Sequence, residues 1–240
     1  MTTKPDGYNL TRDPLFYITA LFFAVITTLP PALMSQPTFL PVAQALALAF
    51  FAGLAGRRGG VRSAVVVTAL WLVVQMAQIM LLTSLLPERM DLAFGNGFNF
   101  RSAYLQWFYT GQALPRGLMA SPMAAIIEMA GVVLGSLASA GVIGAFFLVR
   151  AANFAAFSMG GLLAAGESIL AALPLWTLLR LAGYGGFFVL LSRPLLADGG
   201  SITPLLRDHR RALLISAGLL ALGLIIELFL PGLWSSWFAS

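Results

Sequence analysis

Long apolar stretches constrain this chain more than any other feature of its sequence. A helix needs about 20 apolar residues to cross the hydrocarbon core of a bilayer, where every backbone polar group must be satisfied inside the protein. Six such windows follow one another: 15–34, 38–56, 63–86, 123–149, 154–192 and 212–233. The sequence therefore predicts an all-α, polytopic integral membrane bundle, with residues 1–240 forming a single transmembrane domain.

The window 154–192 has about twice the length of one span. It contains the segment AAGES at 164–168 and a proline at Pro174, and either could mark a turn between two helices. We divide it into predicted helices 154–172 and 174–192, which raises the expected count from six crossings to seven.

The distribution of arginine predicts an orientation. Basic residues cluster in RRGGVR at 57–62, at Arg150, at Arg193 and in RDHRR at 207–211. Loops rich in Lys and Arg favour the cytoplasmic side. Seven crossings that start with a cytoplasmic N-terminus place all these groups inside, whereas six would place RDHRR outside. The expected location is the cytoplasmic (inner) membrane of a bacterium.

The longest connector, 87–122, falls on the outer side in this topology. It contains Tyr104, Trp107, Phe108 and Tyr109 close together. Aromatic side chains of this kind favour the level of the lipid headgroups. We predict a short surface helix here, whose simplest role is to anchor the protein in the outer interface.

Ionisable residues inside predicted spans are the candidate functional groups, because their cost in lipid makes them rare without a role. Glu128 lies six residues after Pro122, hence about 9 Å below the outer surface. Glu227 falls in the same half of the membrane, and a turn near Gly166 or Pro174 would add Glu167. The predicted substrate-binding or ion-binding residues of this outer polar chamber are Glu128, Glu227, Glu167, Arg180, Gln78, Gln75 and Gln44.

Small residues follow Glu128 at helical spacing. Gly131, Gly135 and Ser139 recur every four residues, a pattern that lets a neighbouring helix approach closely. Because Glu128 shares this face, its carboxylate is expected to point into protein.

Simpler interpretations stay open for several of these residues. A glutamate near a membrane surface can reach the headgroups or cap a helix, and Glu167 fits that description best. Gln75 and Gln78 can bond across helices, and Asn153 can bond at a helix end. The loop residues Arg207, His209, Arg210 and Arg211 can anchor the last helix to anionic lipid or dock a cytoplasmic partner.

Missing residue types exclude several chemistries. The chain has no cysteine, its single histidine is His209 in a basic loop, and no lysine follows Lys4. Paired histidine ligation of haem, a thiolate or histidine-rich metal site and a retinal Schiff base are therefore excluded. We assign no catalytic residue, no metal and no cofactor other than bound lipid. The net charge of +5 arises from arginines that flank apolar windows, so a nucleic-acid partner is not expected.

These observations favour a membrane permease, or the membrane subunit of a transporter, that takes a cation or a proton-coupled solute. The alternative is a non-catalytic accessory subunit of a larger energy-converting or ATP-driven membrane complex. A third reading is a lipid-active membrane protein, since a pair of glutamates can perform acid–base chemistry on a lipid. The expected partners are the lipid bilayer and either other membrane subunits or further copies of the chain.

Overall fold

A computed structural model describes residues 13–238, and every regular element in that range is a helix. Residues 1–12, on which the predicted cytoplasmic N-terminus falls, lie outside the described part. The helices are α1 (Pro14–Leu33), α2 (Phe39–Leu85), α3 (Pro87–Ala93), α4 (Gly97–Thr110), α5 (Pro122–Ala138), α6 (Val142–Ala164), α7 (Ile169–Ala172), α8 (Leu175–Leu196), α9 (Thr203–Asp208), α10 (Arg210–Phe229) and α11 (Pro231–Phe238).

Helix α2 folds back on itself at Gly60. This glycine has φ 77° and ψ −173°, which interrupts the helical backbone. The rings of Phe51 and Trp71 have centroids 6.2 Å apart, whereas twenty residues of straight helix would separate them by about 30 Å. Helix α2 is therefore a hairpin with a first arm at 39–59 and a second arm at 61–85.

Five helices in the described part of the chain are long and apolar enough to cross a membrane: α1, α2, α6, α8 and α10. Large apolar side chains are exposed on their outer faces, among them Phe22, Phe50, Val73 and Ile215. Water would make such a surface a strong aggregation risk, but hydrocarbon suits it. These features indicate an integral membrane protein. Helix α5 is apolar but shorter, with 17 residues.

The prediction of one helix over 123–149 is wrong. Helix α5 ends at Ala138, and the chain turns through two left-handed residues, Ala140 at φ 52° and Gly141 at φ 95°. The Ser139 hydroxyl stabilises the turn because it donates to the carbonyl of Gly135 and accepts from the Ile143 amide, at 2.6 and 2.8 Å. Hydropathy could not detect this break, since all residues at the turn are small.

The boundary predicted at 150–153 is wrong for the same reason. Arg150 and Asn153 lie inside α6, not in a cytoplasmic loop, and 154–164 belongs to α6 as well. Both predicted turn signals act together: AAGES ends α6, Pro174 precedes α8, and the four-residue helix α7 lies between them.

The helical hairpins give the bundle two distinct ends. Arg57 Nε donates to the Leu196 carbonyl at one end, and Arg89 Nε donates to the Leu33 carbonyl at the other. We call the first the basic end, because it carries Arg57, Arg58, Arg62, Arg193, Arg207, Arg210 and Arg211. The opposite end, here the loop end, is formed by 34–38, 86–121, 165–174 and 230–238.

Helices α8 and α10 cross at two glycines. A Cβ atom on Gly183 would lie 2.8 Å from the Leu220 amide nitrogen, and one on Gly223 would lie 2.9 Å from the Arg180 amide nitrogen. The absence of side chains lets the two backbones touch, as small residues do in other membrane helix pairs. This close crossing brings Arg180 on α8 opposite Glu227 on α10.

The predicted small-residue face of α5 packs partly as expected. Gly131 lies against the ring of Phe147, and Gly135 lies against Ile143 and the backbone of Gly144, all on α6. Ser139 differs, because it lies in the turn that ends α5. Glu128 is 8% exposed, so its side chain points into protein.

Candidate functional site

Four ionisable side chains meet in one cavity of about 50 Å³ near the loop end. Glu128 comes from α5, Arg180 from α8 and Glu227 from α10. The fourth, Arg116, comes from 111–121, which we call the α4–α5 connector. The structure thus brings together three residues that the sequence analysis singled out and adds one that it did not.

Arg180 and Glu227 form the tighter of two ion pairs. Arg180 Nη1 lies 2.7 Å from Glu227 Oε2, and Glu227 is only 4% exposed. The other carboxylate oxygen of Glu227 accepts a hydrogen bond from the Leu118 amide at 2.8 Å. Glu227 therefore joins α10 both to α8 and to the α4–α5 connector.

Arg116 and Glu128 form a looser pair, with Arg116 Nη2 3.6 Å from Glu128 Oε2. Arg116 has a φ of 56°, a left-handed conformation that is unfavourable for a side-chain-bearing residue. Its guanidinium carbon lies 4.0 Å from the centroid of the Phe154 ring, which is within cation–π range. Burial lowers the pKa of Arg116, Glu128 raises it, and Arg150 and Arg180 lower it again.

Arg150 lies beside the same ring, with its guanidinium carbon 5.6 Å from the Phe154 centroid. Within residues 13–238 no carboxylate lies within ion-pair distance of Arg150. It lines a second cavity of about 150 Å³ together with Asn153, Phe154 and Phe94. Three guanidiniums therefore surround a region that holds two carboxylates.

The aromatic cluster of α4 forms a wall of this region. Tyr104, Trp107 and Phe108 are all buried, and Trp107 packs edge-on against Trp176 of α8. The prediction that these rings face the lipid headgroups is therefore wrong for three of the four, because α4 packs against α3, α6 and α11. Only Tyr109 is exposed.

A second polar group is separate from the cavity and consists of uncharged side chains. Gln44 Nε2 donates to Thr28 Oγ1, Asn153 Nδ2 donates to Gln44 Oε1, and Gln75 Nε2 donates to Asn153 Oδ1, at 2.7–2.8 Å. Trp71 Nε1 donates to Gln75 Oε1 at 3.0 Å. This amide network joins α1, both arms of α2 and α6. Gln44 and Gln75 therefore bond across helices and do not line the charged cavity.

Two further predicted site residues also lie away from the cavity. Gln78 is half-buried, and its amide donates to the Val74 carbonyl of its own helix at 3.1 Å. Glu167 lies in the turn between α6 and α7, where Oε1 accepts a hydrogen bond from the Tyr109 hydroxyl at 2.5 Å. Placing Glu167 in the chamber was wrong, because the turn that contains it faces α4.

The Tyr109–Glu167 contact leads to a pH prediction. The hydrogen bond to Glu167 raises the pKa of Tyr109 to about 12, from an ordinary value near 10. Its stabilisation is fully present below pH 10 and is lost as the pH rises through 12, because the bond needs the protonated phenol. Tyrosinate absorbance is titrated in the wild type and in Tyr109→Phe, and the difference between the two curves should give this pKa for Tyr109. Glu167→Gln should return it toward 10, and a wild-type Tyr109 that titrates near 10 would contradict the bond.

The basic loop that was predicted to dock a partner or lipid is exposed. Arg207 pairs with its neighbour Asp208 at 2.8 Å, while Arg210 and Arg211 begin α10. His209 links α9 to α10 and is half-buried. Among the described residues, no three His, Asp or Glu side chains come together as metal ligands would.

No protein-family model, curated protein or solved structure matches this chain. The residues that sequence reasoning missed are Arg116 and Arg150. Arg116 lies in a connector, where an arginine is ordinary. Arg150 was assigned to a loop because the break between α5 and α6 was placed wrongly.

Proposed function

We propose that this protein is a membrane permease, or the membrane subunit of a transporter, whose solute binds in the charged cavity. One observation carries the proposal: Arg116, Glu128, Arg180 and Glu227, from four separate segments, meet in one cavity of a mostly apolar bundle. Charged groups inside a membrane protein are costly, and those that line cavities commonly mark solute or ion pathways.

The balance of charge favours an anionic solute over the cation that glutamates alone suggest. Arg116 and Arg150 lie beside the ring of Phe154, which lines both the charged cavity and the cavity of Arg150. With Arg180, the arginines of the two adjoining cavities outnumber Glu128 and Glu227. Arg150 is half-buried and far from either end of α6, so its unpaired charge needs an acceptor. A carboxylate or phosphate group on the solute would supply it, since guanidinium binds both with two parallel hydrogen bonds.

The α4–α5 connector acts as the cover of the cavity. It is attached to the helices by Arg116–Glu128 and by the Leu118 amide on Glu227. The cavity has room for only a few water molecules, so a solute requires the connector to move. The cover would open when Glu128 and Glu227 release Arg116 and the Leu118 amide of the connector, and it would close when those contacts form again.

The arginine distribution supports a topology with the basic end in the cytoplasm. Counting each arm of α2 and including α5, the chain crosses the membrane seven times, with a cytoplasmic N-terminus in a bacterial inner membrane. The charged cavity then opens toward the outer side.

The test is uptake by purified protein in liposomes, with labelled glutamate, succinate, citrate and phosphate as anionic probes and arginine and putrescine as cationic ones. We expect the wild type to accumulate at least one anion. Arg150→Gln and Glu128→Gln should each lower its uptake at least tenfold. Glu167→Gln is the matched control, because it removes a glutamate outside the cavity, and its uptake should equal that of the wild type.

Accumulation of cations alone would contradict an anionic solute. Accumulation of none of the six probes above protein-free liposomes would contradict an autonomous permease. Native mass spectrometry of the complex extracted from its own membrane then decides whether a partner subunit accompanies the chain, which is the accessory-subunit alternative.

A further inference from the structure

An apolar groove of about 460 Å³ runs along the outside of the bundle, away from the charged cavity. Helix α8 forms its floor. Helix α10 forms one wall, and the second arm of α2 forms the other. Both walls pack on α8, but within the described residues they do not pack on each other. The floor is low at Gly185, where a Cβ atom would make only ordinary contacts with Thr68 and Leu72, at 3.8 and 3.9 Å. The neighbouring Gly186 lies against Ser216 of α10.

The groove has the dimensions of a lipid chain. Its lining on α2 extends from Val61 to Met76, a rise of about 22 Å at 1.5 Å per residue. One leaflet of a bilayer is about 15 Å deep, half of the hydrocarbon core. An acyl chain that enters at the basic end is therefore covered over its whole length.

Arginines from all three helices border the groove at its basic end. Arg62 precedes Val65 by three residues, Arg211 precedes Ile215 by four, and Arg193 follows Leu190 by three. Those spacings put each arginine on the same side of its helix as the groove lining. Arg62 and Arg211 adjoin Val61 and Ala212, the last lining residues at this end, and Arg193 lies one turn beyond Leu190. All three arginines therefore border the end of the groove where a lipid headgroup would lie.

The charges of these arginines are incompletely neutralised. Within residues 13–238 neither Arg62 nor Arg211 has a carboxylate within ion-pair distance. Arg193 pairs with Asp198 at 3.4 Å, but its Nε–H is buried without a hydrogen-bond partner among the described atoms. Basic pockets between membrane helices are known to bind anionic headgroups.

We propose that this groove is a binding site for one anionic phospholipid. One acyl chain lies along Gly185 and Gly186, and Arg62 and Arg211 bind the phosphate. The site shares no residue with the charged cavity and does not depend on the proposed transport function.

The test compares phosphatidylglycerol with phosphatidylcholine, titrated onto detergent-purified protein and counted as adducts by native mass spectrometry. We expect tighter binding of phosphatidylglycerol, with a preference that Arg62→Gln/Arg211→Gln lowers about 30-fold, the factor expected for two arginines at an anionic surface. Arg207→Gln/Arg210→Gln is the matched control: it removes the same charge, but Arg207 pairs with Asp208 and Arg210 lies on the opposite face of α10 from the groove. Its preference should be unchanged.

Gly185→Leu fills the groove and should reduce binding of both lipids. The arginine substitutions lie on the exposed surface, so they test the proposal even if Gly185→Leu prevents folding. Equal binding of the two lipids by the wild type, or equal loss in both arginine pairs, would overturn it. A partner protein helix on this face of the native complex, in place of lipid, would overturn it as well.

Discussion

Replacing Glu227 with glutamine is expected to destabilise the folded protein by about 3–5 kcal/mol, the usual cost of removing one partner from a buried ion pair. The substitution leaves the Arg180 guanidinium charged and almost enclosed between α8 and α10, 2.7 Å from a neutral amide in place of a carboxylate. An exposed pair would cost at most about 1 kcal/mol, but Glu227 is 4% exposed, so solvent screens this pair only weakly.

Unfolding in detergent micelles, followed by loss of helical circular dichroism, measures this change. Glu167→Gln is the control, since it removes a half-exposed carboxylate with a single hydroxyl partner.

The double substitution Arg180→Met/Glu227→Met separates charge from packing. Apolar replacements of a buried pair are often neutral or stabilising, so most of the lost stability should return. The Leu118 amide would still lose its acceptor, which costs about 1–3 kcal/mol and limits the recovery. A double variant no more stable than Glu227→Gln would show that the pair contributes through geometry and not through charge balance.

Replacing Asn153 with leucine is expected to destabilise the protein by about 1–3 kcal/mol, because two interhelical bonds are lost at about 0.6–1.7 kcal/mol each in a membrane protein. Asn153 donates to Gln44 on the first arm of α2 and accepts from Gln75 on the second arm. All three side chains are buried, so neither glutamine gains water as a substitute.

The matched control is Gln78→Leu, which also replaces an amide on the second arm of α2. Because Gln78 donates to its own helix, the expected change is below that of Asn153→Leu. The same denaturation in micelles compares the two, and equal destabilisation would contradict a special role of the network.

Much of the charged site was predictable from the sequence. Glu128, Glu227 and Arg180 stood out because a charge inside an apolar window is rare without a role. The helical rise per residue then predicted similar depths for them. Glu167 satisfied the same rule and was wrong. The direction of its side chain depends on a turn between α6 and α7 that hydropathy does not describe.

The partners in the amide network were not predictable from the sequence either. Gln44 and Gln75 were noticed as polar residues in spans, and their depth suggested the charged chamber. Which partner each amide meets depends on how α1, α2 and α6 rotate against one another. Asn153 connects them because α6 begins at Val142, eleven residues earlier, and not in a loop at 150–153.

By itself, the sequence determined that the chain is helical, that its outer surface suits lipid and that its positive charge gathers at one end. Those properties follow from composition within a window of about 20 residues, because each membrane-spanning helix must by itself be long and apolar enough to cross the bilayer. The tertiary structure alone decided that Arg116 in a connector faces Glu128, that Arg150 lies beside Phe154 and that Gly183 and Gly223 bring Arg180 against Glu227. Contacts of this kind join residues far apart in the chain, and they depend on where helices turn and cross, which no single window records.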